Sequence, residues 1–176
     1  IIDCYFEGNT ASDGGGAVSV WVKSNSQISG NEFINNQAAI YGGAVDIYDS
    51  CFSLINDNYF NGNAANLGGA ICMWEECSPS IMWNEFNNNE AYYHGGAITA
   101  VFGSNALIKR NIFTQNYADS TGGAIEVWYQ SSPTIINNTI VSNHANSHAG
   151  GIDVNQGSSP LMINNINNFI FIIQYN

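Results

Sequence analysis

Positive charge is nearly missing from this sequence. Lys23, Lys109 and Arg110 are the only cations beside 14 Asp and Glu, and the formal net charge is −11 over 176 residues. Phosphate contacts need Lys and Arg, so nucleic acid is all but excluded as a partner. An anionic membrane surface is disfavoured on the same ground. No apolar run reaches 18 residues, so direct membrane insertion is not expected. Leucine is scarce too, at positions 54, 67, 107 and 161 only. No initiator Met or leader-like segment opens the chain, and Ile1 already sits inside a repeat pattern. The expectation is one domain over residues 1–176, a piece of a longer repeat protein.

Uncharged polarity fills the gap. Charged residues make up 10% of the chain and hydrophobic ones 45%, with 27 Asn beside 18 Gly. Asn and Gly favour turns and left-handed corners over helix or strand interiors. They are also distributed periodically. Gly15-Gly16-Ala17-Val18 recurs as Gly42-Gly43-Ala44-Val45, Gly68-Gly69-Ala70-Ile71, Gly95-Gly96-Ala97-Ile98 and Gly122-Gly123-Ala124-Ile125, then weakens to Ala149-Gly150-Gly151-Ile152. The step is 27 residues, except for one of 26. A second motif keeps the same register: Ile28, Asn31, Phe33, Asn36 and Ala38 match Ile55, Asn58, Phe60, Asn63 and Ala65, and so on down the chain.

A period in this range means stacked units, none of which can bury its apolar face alone. Residues two apart on a strand share a face, whereas steps of three change face unless the chain bends. The steps from Ile28 to Asn31 and from Phe33 to Asn36 are therefore corners. Leucine-rich repeats share the period but need a Leu frame that is absent here. The pattern predicts an all-β, right-handed parallel β-helix of about seven coils, each with three short strands and inward Asn ladders.

Gly-Gly-Ala-[Ile/Val] followed by Phe-x-x-Asn, as in Gly42-Gly43-Ala44-Val45 with Phe60-Asn61-Gly62-Asn63, resembles the polymorphic outer membrane protein repeat. Related repeats occur in adhesin-like surface proteins and autotransporter passengers. The resemblance implies a secreted or cell-surface β-helical passenger, often adhesive, and it brings no catalytic residues with it. The segment Ser132-Pro133-Thr134-Ile135-Ile136-Asn137-Asn138 is similar to broader β-helix families that include carbohydrate-active proteins.

Candidate binding residues follow from strand alternation. If Val20 and Ile47 point inward, Trp21, Tyr48, Trp74, Val101, Trp128 and Asn155 form one outward column. Ser19, Asp46, Cys72, Thr99, Glu126 and Asp153 form the other, with Asp49 close by. Rings beside carboxylates suit a glycan, the rings taking sugar CH faces and the carboxylates the hydroxyls. The rings could instead stack on one another, or lie under another segment. Candidate ligand-binding residues are thus Trp21, Tyr48, Trp74, Trp128, Asp46, Asp49, Glu126 and Asp153.

Chemistry is harder to place. Glu126 and Asp153 stand one rung apart, near the separation of a retaining glycosidase, and any acidic β-helix offers such pairs. A polysaccharide lyase would need a base on this face, where none of the three cations lies. No catalytic residue is assigned, and the domain is expected not to be an enzyme. His94 and His148 sit two rungs apart, too far for one metal without a ligand at Thr121, and no calcium-binding nonapeptide is present. Neither metal nor cofactor is expected. Cys51 and Cys77 share a repeat position and could pair, as could Cys72 and Cys77; free buried thiols are the alternative. Unpaired strand edges and the apolar run Phe169-Ile170-Phe171-Ile172-Ile173 also suggest end-to-end stacking into extracellular fibres.

Overall fold

The computed structural model describes residues 1–167, and among them it contains strands and no helix. The chain winds as a right-handed parallel β-solenoid of about six turns, slightly fewer than the seven expected. The apolar run at 169–173 lies outside the described residues.

Each full turn carries four strands rather than the expected three. One turn runs Gln27–Ser29, Glu32–Ile34, Gln37–Ala38, Val45–Tyr48, and the next repeats it as Leu54–Asn56, Tyr59–Asn61, Ala64–Leu67, Ile71–Trp74. Equivalent strands stack into four all-parallel sheets of six, seven, six and six strands, here called the Ile28, Phe33, Ala38 and Val45 sheets. Register is like on like: Phe33 faces Phe60, Ile81 faces Ile108, and Ile71 faces Val45. In-register stacking puts each apolar residue over its own equivalent, so one inward column closes the core along the whole axis.

Corners form where a left-handed residue breaks a strand. Gly30, Asp57, Trp83, Arg110, Asn137 and Asn164, with φ between +52° and +67°, separate the Ile28 strand from the Phe33 strand in successive turns. The corner that sequence reading missed follows the Val45 strand. It uses two consecutive left-handed residues, such as Asp49-Ser50, Glu75-Glu76 or Tyr129-Gln130. Those pairs share no side chain from turn to turn, so nothing repetitive announces them. The Gly pair has a sharper requirement. A Cβ on Gly42 would run into the Val45 carbonyl, and one on Gly43 into the Gly69 carbonyl of the next turn.

Two Asn ladders line the inner corners. In the first, each Nδ2 from Asn31 to Asn138 donates to the Oδ1 of the next Asn at 2.8–3.1 Å. The receiving Oδ1 also accepts the backbone N–H of the preceding Asn, as Asn58 does from Asn31. The second hydrogen of each amide reaches a corner carbonyl, Ile28 in the case of Asn58. Every buried amide of the two ladders is thereby paired, which removes the desolvation cost of placing amides inside an apolar stack.

A third ladder was not foreseen. Ser104 and Ser131 donate their N–H groups to the hydroxyls of Ser131 and Ser158, and Cys51 donates its N–H to Cys77 Sγ at 3.4 Å. The Cys51 and Cys77 thiols in turn donate to the Tyr48 and Trp74 carbonyls, as Ser24 does to Trp21. All four cysteines are free thiols, with Cys51, Cys72 and Cys77 buried. At positions 51 and 77 cysteine acts as a serine equivalent, which explains the shared repeat position without a disulfide.

Candidate functional site

The outward side of the Val45 sheet collects the aromatic and acidic residues singled out from sequence, but not as an open surface. Trp21, Tyr48, Trp74 and Val101 share one register position on four successive strands. The other outward column is covered. Asp46, Cys72, Thr99, Glu126 and Asp153 are all buried, Asp46 at 1% exposure and Glu126 at 0%. Asp46, Glu126 and Asp153 are thus buried where solvent-facing carboxylates were expected. The covering comes from residues just before each Gly pair, Tyr41, Leu67, His94, Thr121 and His148, which bridge from turn to turn. The left-handed residue that follows each of them, glycine in four turns and Ala149 after His148, folds the chain back across the strand. That fixed place before Gly-Gly was the signal available in the sequence, and it went unused because the side chains there differ.

Around Asp46 the rings act as a structural lid. Trp74 Nε1 donates to Asp46 Oδ1 at 3.0 Å and Trp21 Nε1 donates to Oδ2 at 3.3 Å. Tyr41 stacks on Trp74 at 4.5 Å and Tyr48 lies against Trp74 at 4.1 Å, whereas Trp21 meets Tyr48 edge-on at 74°. The three columnar rings do not make one flat platform. Burial raises the Asp46 carboxyl to about 6, against the opposing pull of the two indole hydrogen bonds.

Three turns further on, Glu126 and Asp153 stand opposite each other on adjacent strands. Thr121 Oγ1 donates to Glu126 Oε2 at 2.7 Å, and Asn155 Nδ2 donates to both Glu126 Oε1 at 2.8 Å and Asp153 Oδ2 at 3.0 Å. Burial, followed by the Asp153 charge, raises Glu126 to about 8. His94 Nδ1 lies 2.8 Å from Thr121 Oγ1, and Trp128 packs over the His94 ring at 5.0 Å. Burial lowers His94 from its ordinary value. His94 is thus half-buried, while His148 is exposed.

Glu126 ionises at higher pH folded than unfolded, so the folded state binds more protons between about pH 4.5 and 8. Its contribution to stability is present below that window and is lost as pH rises through it. A glutamine cannot ionise, so Glu126→Gln is expected to flatten this slope and to melt higher than wild type at pH 9. Melting temperatures from pH 5 to 9 check it; parallel curves for the two proteins would mean Glu126 is already ionised at neutrality.

Asp49 lies elsewhere, on the left-handed corner. With Ser50, Glu75, Glu76 and Phe102 it lines a depression of about 470 Å³. A second depression of about 800 Å³ continues past Glu76 and Phe102 to Tyr129, Gln130, Gln156 and Gly157. Since the two share Glu76 and Phe102, they form one trough along the axis, acidic at one end and ringed at the other. Phe102 and Tyr129 stack there at 4.8 Å, both exposed. Among the described residues no group of three or more His, Cys, Asp or Glu is placed to hold a metal ion.

Comparison with known families agrees with this geometry. A model described as right handed beta helix region matches residues 66–170. A Chlamydia polymorphic membrane protein repeat matches residues 3–20, the stretch holding Phe6, Asn9 and the first Gly-Gly-Ala-Val. No curated protein and no solved structure matches the chain.

Proposed function

We propose, for a chain that belongs to the right-handed β-helix family, the role of a non-catalytic passenger domain at the cell surface or outside the cell, acting in adhesion. The repeat supports this reading, because the matched repeat model is that of polymorphic membrane proteins. The observation that carries it is the trough from Asp49 to Gly157, in which an acidic end and a stacked ring pair face solvent along a rigid rod. A solenoid holds such a surface without the ordering cost that flexible loops incur on binding.

The finer part of the proposal is a glycan as ligand. Exposed Phe102 and Tyr129 offer ring faces to sugar CH groups, and Asp49, Glu75 and Glu76 offer hydroxyl acceptors. The trough fits that task better than the Trp21, Tyr48 and Trp74 column, whose rings are engaged with each other and with Asp46. Phe102→Ala is expected to abolish binding on a glycan array and to cells. Its cost in stability should be about 1 kcal/mol, the scale of one exposed ring pair. Trp74→Ala should do the reverse, losing about 2–3 kcal/mol through the Asp46 hydrogen bond and two ring contacts while binding persists. Wild-type protein that binds neither glycans nor cells would defeat the adhesion reading. Binding to cells alone would remove the glycan from it.

A second reading, end-to-end stacking of copies, is supported by apolar side chains exposed on both outer turns, Ile1, Ile2 and Tyr5 at one end and Leu161, Ile163 and Ile166 at the other. Sedimentation at high concentration separates it from adhesion by single rods.

A further inference from the structure

Next to the Glu126–Asp153 pair lies a cavity of about 380 Å³, bordered by His94, Thr121, Trp128, His148, Asp153, Asn155 and Gln156. It meets the ringed end of the trough at Gln156, and the adhesion reading does not use it. Three features of its wall agree in kind. Asp153 is 3% exposed yet reaches the cavity, so its carboxyl is desolvated on every side but this one. When Glu126 is ionised, Thr121 gives its single hydroxyl proton to Oε2, and its contact with His94 Nδ1 then requires that Nδ1 carry the hydrogen. That leaves His94 Nε2 with a lone pair. Asn155 spends both amide hydrogens on the two carboxyls, and its Oδ1 is buried without a hydrogen-bond partner. The polar groups of this wall are thus acceptors, and beside them stands the indole of Trp128.

A desolvated carboxylate, acceptor nitrogen and aromatic ring together favour a ligand that only donates and carries positive charge. A sugar hydroxyl would also need donors, and an anion would face the carboxyl pair directly. We propose that this cavity binds an organic cation, an alkylammonium or guanidinium group seated against the Trp128 ring with its N–H groups on Asp153 and His94 Nε2. Such a group comes from a lysine or arginine side chain of a partner protein, or from a free amine.

The charge around the site makes binding proton-linked. Glu126 and Asp153 face each other across adjacent strands, His94 and His148 approach from the corners, and no other titratable side chain borders the cavity among the described residues. While Glu126 holds its proton the pair carries one negative charge. An incoming cation favours the doubly ionised pair and expels that proton, so affinity rises as pH passes from 7 to 9.

The test is a titration of the whole chain with n-butylammonium and n-butylguanidinium, followed through the indole N–H resonances. Neutral n-butanol and methyl glucoside serve as controls. The proposal expects millimolar binding of the cations that shifts Trp128, at least tenfold weaker binding of both controls, and about tenfold tighter cation binding at pH 9 than at pH 7. Asp153→Asn should lose at least tenfold in cation affinity, with its fold checked by circular dichroism. The wild-type comparison of charged and neutral probes stands even if that variant does not fold. Equal affinity for n-butanol, preference for the glucoside, or no shift at Trp128 would overturn the cation site. An acetylated lysine amide set beside cadaverine then distinguishes a side-chain source from a free amine.

Discussion

Asn89→Ala is expected to lower the unfolding free energy by about 3–5 kcal/mol, far more than a polar-to-alanine change usually does. Asn89 sits in the middle of the second ladder. Its Oδ1 accepts from the Asn63 backbone and side-chain nitrogens at 3.1 and 2.9 Å, and its Nδ2 donates to Asn116 Oδ1 and to the Phe60 carbonyl. Truncation leaves two buried donors on Asn63 unpaired and takes the side-chain donor from the Phe60 carbonyl, while Asn116 Oδ1 keeps the Asn89 backbone N–H, in a site too tight to admit water freely. Each such group costs about 1–3 kcal/mol, with partial relaxation bringing the sum down. Asn9 begins the same ladder on an exposed edge and donates to Asn36 alone through its side chain. Asn9→Ala should therefore cost under about 1 kcal/mol. Urea unfolding of both variants decides the matter, and equal losses would show that the ladder is not what holds the inner corners.

The fold was legible because the solenoid writes the same side chain at the same place in every turn. Asn31, Asn58 and Asn84 could be recognised as one ladder, and Phe33, Phe60 and Phe86 as one column, since identical residues must stack for the interior to close. Features defined by backbone conformation alone left no such trace. Asp49-Ser50 and Glu75-Glu76 make the same left-handed corner, yet nothing in their side chains says so, and the fourth strand of each turn was lost with them. The Ser/Cys ladder was hidden for a milder reason: Cys51 and Cys77 invite a disulfide reading until their thiols are seen donating to carbonyls where Ser24 donates its hydroxyl.

The candidate site was half legible. Alternation placed Trp21, Tyr48, Trp74, Asp46, Glu126 and Asp153 on the outer side of one sheet, as the structure does. It took outer to mean exposed. Tyr41, His94 and Thr121 fold over that side, and they turn Asp46 and Glu126 into buried carboxyls with raised affinity for protons. Asn155, counted in sequence as the last residue of the outward aromatic column, is the group that ties the acid pair together.

The Phe column yields the other large effect. Phe6, Phe33, Phe60, Phe86 and Phe113 stack at 4.8–4.9 Å with ring planes within 5° of parallel, and Ile140 continues the column. Phe86 is fully buried between Phe60 and Phe113. Its neighbours are fixed by backbone pairing on both sides, so the turns cannot close over a missing ring. Phe86→Ala should cost about 3–5 kcal/mol, the upper range for a ring lost without collapse. Phe86→Ile should cost about 1–2 kcal/mol, since the column already accepts isoleucine at Ile140. Because each turn touches only its neighbours, the Ala cavity also weakens the coupling between the turns before it and those after it. The expected signature is a urea transition that is broader as well as shifted, with a smaller slope for Ala than for Ile. A cooperative Phe86→Ala transition with wild-type slope and a loss under about 1 kcal/mol would mean that the sheets, not the ring stack, carry the stability of the rod.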